Sequence, residues 1–177
     1  MISSGKGTIA KHLKEKHNAS VYRFSTMLRD VLNRLYCEVS RENMQFLSTL
    51  LRKKFGEDLL AKVIARDVEN DKNKLIVVDG ARRIADIKYL KKIDGFKLVK
   101  VGAHPELRYK RLVARGENTG DAQKTYEEFI IEGKKETEVE IPVIMEKAEI
   151  EINNDNSLQE LYKQIDILIN KLKKSSL

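Results

Sequence analysis

The segment Ser3-Ser4-Gly5-Lys6-Gly7-Thr8 constrains this chain more than any other. Backbone N–H groups can close on an anion only where glycine leaves room, and a lysine beside them can reach the β- and γ-phosphates of a nucleotide. A hydroxyl is needed near the magnesium ion that accompanies such phosphates, and a helix N-terminus aimed at the charge completes the arrangement. Gly5, Lys6 and Thr8 supply these parts, with Ser4 and Gly7 as their neighbours. Residues 8–17 read as the helix, with Ile9, Ala10 and Leu13 on one side and lysines on the other. A polar helix cap could also read Ser-Gly-Lys, so the rest of the chain has to decide.

Downstream, strand and helix patterns alternate. Strands are expected at 20–24, 74–80, 96–102 and 148–153, and helices at 27–35, 41–54, 59–68, 84–93, 106–115 and 157–173. Ser25 or Thr26 could cap the helix expected from Met27. Residues 118–123 look like a loop, and a charged helical region follows to about Lys147. The run into Asp79-Gly80 is apolar without alternation, as in a parallel strand covered on both faces. The fold class is therefore α/β, a parallel sheet flanked by helices in three layers, over one domain spanning 1–177, with a helical lid at about 116–147. A chain of 177 residues that is 41% hydrophobic and 34% charged suits one soluble domain. No apolar run approaches the ~20 residues of a membrane span, and the polar opening residues do not resemble a secretory signal. The single Cys37, read as a partly buried helical residue, favours a reducing, cytoplasmic setting. The net charge is +7, but its lysines are interleaved with acids as on a solvated face, so neither nucleic acid nor membrane is expected as a partner. A monomer or homodimer is expected.

Several side chains could serve a phosphate site. Asp79, at a strand end, could hold a magnesium-bound water or orient an acceptor. Arg82 and Arg83 follow it, and Arg82 is the preferred phosphate ligand because a guanidinium grips two oxygens at once. Ser25 and Arg29 lie just beyond the first expected strand and offer a hydroxyl and a guanidinium there, although a helix cap and an exposed arginine would read the same way. Arg108, Arg111 and Arg115 are spaced three and four apart, which puts three guanidinium groups along one helix face. Asn153 and Asn154 end the last strand, where asparagine is also an ordinary turn residue. His12, His17 and His104 show no metal-ligand spacing, and none is assigned to a metal.

With Gly7 between Lys6 and Thr8, the loop resembles those of adenylate and cytidylate kinases, which also read Gly-Lys-Gly-Thr. The residues from Ala148 to Asn154, followed by Ser157-Leu158, are similar to the last strand and loop of dephospho-coenzyme A kinases. The Asp79-Gly80-Ala81-Arg82 turn and Tyr126-Glu-Glu-Phe129 extend the likeness to the P-loop nucleoside and nucleotide kinases over almost the whole chain. The resemblance implies a five-stranded parallel sheet, ATP or another triphosphate, and Mg2+ held by Thr8 and Asp79. It implies catalytic roles for Lys6, Asp79, Arg111 and Arg115 and nucleotide contacts from Ser4, Gly5, Lys6, Gly7, Thr8, Asn153 and Asn154. Acceptor contacts would come from Ser25, Arg29 and Arg82. It also implies a central strand and a first loop glycine that would fall before Met1, so roughly 8–12 further N-terminal residues, a strand of ordinary length, are expected in the natural protein. The expected activity is ATP-dependent phosphoryl transfer to a small phosphorylated acceptor, a nucleoside monophosphate or dephospho-coenzyme A. A P-loop switch or NTPase without an acceptor is the competing reading, and a nucleic-acid binder driven by charge is a third.

Overall fold

In the computed structural model, which describes residues 1–116, 120–134 and 140–175, the phosphate-loop segment runs into helix α1 (Lys6–His17). Gly5 takes the N-cap position at φ 103, and Asn18, also left-handed, closes the helix by donating its N–H to Leu13 O. Strand β1 (Ser20–Arg23) leads directly into α2 (Phe24–Arg34). This helix begins earlier than the expected Met27, and neither Ser25 nor Thr26 caps it. The reason is the burial of Phe24 and Leu28 among α3 (Arg41–Phe55) and α4 (Leu59–Asn70), which makes the first turn part of the core. Left-handed Tyr36 ends the α2 segment, with Cys37 donating its N–H to Leu32 O. Cys37 thus lies exposed beyond the helix, correcting the expectation that it is helical and partly buried.

Strand β2 (Ile76–Asp79) pairs parallel with β1, Arg23 standing opposite Asp79. The helix expected over 84–93 divides into α5 (Ile84–Ile87) and a 3-10 turn at Leu90–Lys92. Strand β3 (Val99–Gly102) is shorter than the run 96–102, because Phe96 packs with the α2–α4 core instead of joining the ladder. Next come α6 (Pro105–Arg115), a 3-10 turn at Asp121–Gln123, α7 (Tyr126–Glu132) and α8 (Ile141–Glu146). Strand β4 (Ile150–Asn153) pairs parallel with β3, and α9 (Leu158–Ser175) closes the described chain. Of the region 116–147, residues 117–119 and 135–139 lie outside the described residues.

The four described strands form two parallel pairs, β1–β2 and β3–β4, where the resemblance implied one five-stranded sheet. Strand periodicity sends alternate side chains to opposite faces. Both faces of the β1–β2 pair are covered, whereas β3–β4 is covered on the face of Val99, Val101 and Ile152 and carries the Lys100–Glu151 ion pair on the other. Tyr22, Ile76 and Val78 meet Phe24, Leu47, Ile64 and Val68 of the α2–α4 layer. Val77 of β2, with Val99 and Val101 of β3, meets Ile9 and Leu13 of α1 and Leu161, Ile165 and Ile169 of α9. One helical layer therefore spans both pairs, giving the expected helix–strand–helix sandwich. No helix among the described residues is long and apolar enough to cross a membrane.

Candidate active site

The β1–β2 pairing and the loop ahead of α1 open onto one cavity of about 410 Å3. Gly5, Lys6, Gly7 and Thr8 line it from one side, and Asp79, Ser25, Arg29 and Arg82 from another. Arg111 and Arg115 of α6 also border it. Residues far apart in sequence are thus brought together because both strand ends and the start of α1 emerge at the same edge.

The loop is held from behind. Ser4 is fully buried, and its hydroxyl donates to Met1 O at 3.2 Å. The Lys6 ammonium donates to Met1 O at 2.6 Å, folding over the loop. The side-chain amide of Asn154 donates to Ser4 O at 2.9 Å, and a Cβ on Gly5 would collide with that amide nitrogen. Asn154 is itself anchored: its N–H donates to Gly102 O, and its own carbonyl accepts from Arg111 Nη1 at 2.9 Å. Asn154 therefore lies beneath the loop as a buried brace, outside the cavity lining. Asn153 is exposed and tied to Asp155 and Gln164. Asp155 in turn accepts the His104 N–H at 2.6 Å, and this bond, then the Asn153 amide, holds its carboxyl below the usual range.

Asp79 is nine-tenths buried. Its Oδ2 is 3.1 Å from Arg23 Nε, while Oδ1 is buried with no hydrogen-bond partner among the described residues. A buried carboxylate oxygen left open at a cavity wall suits a hard cation or its water, and Thr8, lining the same cavity, adds a neutral oxygen donor. The donor set therefore fits magnesium.

Three cavity arginines were not singled out in the sequence. Arg23 pairs with Asp79 because the strand register sets them opposite each other, and that register is visible only once the two strands are paired. Arg41 reaches Asp121 at 3.1 Å and Glu132 at 3.5 Å, joining α3 to the segment beyond α6. Arg52 forms a buried pair with Asp86 at 2.7 Å, and Asp86 Oδ2 accepts the backbone N–H groups of Arg82 and Arg83. That carboxylate fixes the turn that presents Arg82. Arg108, the third arginine of the α6 series, donates to Ala103 O and Ile2 O and covers the Phe129 ring, bracing the loop's approach.

Comparison with known proteins places the family and the fold. A family model described as an AAA domain matches residues 3–130. A UPF0200 protein of Pyrococcus abyssi is 29% identical over 177 residues, covering 97% of this chain and 93% of that protein. A UPF0200 protein of Staphylothermus marinus is 27% identical over 172 residues, covering 97% and 89%. Among solved structures, the shikimate kinase from Bacteroides thetaiotaomicron superposes with a TM-score of 0.62 at 17% identity, over 97% of this chain and 93% of that one. The shikimate kinase from Acinetobacter baumannii, solved in complex with shikimate, gives 0.59 at 15% identity, over 99% and 90%. The fold is that of the P-loop kinases.

Proposed function

Since the chain belongs to the AAA domain family of P-loop proteins and has a kinase fold, we propose that it is an ATP-dependent phosphotransferase acting on a small phosphorylated acceptor. The observation that carries the reading is one cavity holding both a phosphate loop and an arginine-rich wall beyond Asp79. In this reading the loop amides and Lys6 bind the β- and γ-phosphates, while Asn154 braces that loop from beneath and Asn153, tied to Asp155 and Gln164, does not line the cavity. Ser25, Arg29 and Arg82 hold the acceptor's own phosphate; Arg111 and Arg115 neutralise charge on the moving group. Thr8 and Asp79 would hold magnesium, which when bound supplies charge neutralisation at the β- and γ-oxygens. The bond between the γ-phosphorus and its bridging oxygen breaks as an acceptor oxygen attacks, and the diphosphate nucleotide leaves. Position and electrostatics supply the rate, because little covalent chemistry is asked of the protein. Helices of the 116–147 segment act as the lid that keeps water out.

The test is transfer of the γ-phosphoryl label of ATP to a panel of nucleoside monophosphates and dephospho-coenzyme A. Label on an acceptor supports the proposal; label solely in free phosphate favours a switch or NTPase. Lys6→Ala should abolish transfer with the circular dichroism spectrum unchanged. Unaltered turnover in that variant would refute the assignment.

A further inference from the structure

Away from the cavity, two histidines and a carboxylate converge on one point. His12 and His17 of α1 both direct Nε2 at Asp166 Oδ1 of α9, at 2.9 and 2.8 Å. Their three ligand atoms lie within 4.8 Å of one another. We propose that His12, His17 and Asp166 form a site for a divalent first-row transition ion of the zinc type, clasping α1 to α9. The proposal stands apart from the phosphotransferase reading.

The geometry is close to what such an ion requires. Zinc binds imidazole nitrogen and carboxylate oxygen at about 2.0–2.2 Å, so tetrahedral ligand atoms sit about 3.3 Å apart. The observed nitrogen–oxygen separations need to open by only about half an ångström to admit the ion. Each imidazole would ligate as the neutral ring, its proton on Nδ1. Two nitrogens and one oxygen select zinc, cobalt or nickel over magnesium or calcium, and three protein ligands leave a position for water.

The ligands are also held in place beforehand. His12 is buried, and its ring stacks on Tyr162 at 4.0 Å and 7° between planes, while the His17 side chain is similarly enclosed. All three side chains stand on regular helices, which hold geometry better than loops do. Asp166 is a quarter exposed, which leaves a path for entry. Lys16 Nζ, 2.7 Å from Asp166 Oδ2, is the charged neighbour that would compete with the ion. The spacing from His12 to His17 matches no familiar ligand motif, and the third ligand lies 149 residues beyond His17, so the sequence hid the group.

The experiment titrates Co2+, then Zn2+, into the untagged full chain after chelator treatment. Expected are one equivalent of Co2+ with visible d–d bands, displacement by Zn2+, and a saturable rise in Tm. His17→Gln and Asp166→Asn should each weaken binding at least tenfold, Lys16→Met should bind no more weakly than wild type, and His104→Gln should not differ. Absence of the d–d bands in the wild type overturns the proposal even if a variant fails to fold. Binding unchanged by both His17→Gln and Asp166→Asn overturns it too.

Discussion

Gly5 shows how tightly one position can be specified. Its φ of 103 lies where side chains are strained, and a Cβ there would meet the Asn154 amide that itself holds Ser4 O. Gly5→Ala therefore carries both a backbone and a packing cost, and should destabilise the chain by roughly 1–3 kcal/mol in denaturant titrations. Asn154→Ala removes only the brace; it should cost about 1 kcal/mol of stability and loosen nucleotide binding without abolishing it, by calorimetry. Equal stability of Gly5→Ala and wild type would show that the loop readily adopts another shape. The glycine was legible in the sequence, because the anion's need for bare backbone is local. The role of Asn154 was not: a turn asparagine and a loop brace look alike until the fold brings residues 4 and 154 together.

At the level of elements, the same contrast separates what periodicity reveals from what it hides. The apolar faces of α1, α3, α4 and α9 were readable, α6 was readable as a basic helix, and the ends of these helices fall within a few residues of expectation. The start of α2 and the division of the 84–93 segment were decided by tertiary packing of Phe24 and Leu90, which no local pattern reports. The arginine scaffold was hidden for a further reason, since a charged helical residue such as Arg52 reads as solvated. It is in fact buried against Asp86, which orients the Arg82–Arg83 turn. Removing one partner strands the other charge, so Arg52→Met should destabilise by about 3 kcal/mol. For a chain of this length that is a fall in Tm of roughly 6–12 °C. In a double-mutant cycle with Asp86→Asn the two losses should fall well short of adding. Additive losses would mean that the pair carries no coupling, and that the turn is held by backbone alone.

Across the whole molecule, α1 connects the candidate site to both strand pairs. Its Ile9 and Leu13 share a core with Val77 of β2 and with Val99, Val101 and Ile152 of the other pair, while its N-terminus forms the loop. Arg108 and Arg111 tie α6 to the same loop through Ile2 and Asn154. A ligand seated there should therefore stabilise the chain as a unit rather than one edge of it. A ligand that binds only the folded form adds about 2.7 kcal/mol at a hundred times its Kd, which corresponds to roughly 5–11 °C in Tm for a chain of this size. The cavity's charge predicts how that gain responds to salt: eight arginines and Lys6 face it against Asp79 and Asp86. Raising NaCl from about 0.1 to 1 M shortens the screening length from about 10 to 3 Å, so the MgATP-induced shift in Tm should shrink markedly. Lys6→Ala should show almost no shift at either salt. A shift of equal size in that variant, or one indifferent to salt, would place the triphosphate somewhere other than between this loop and its arginines.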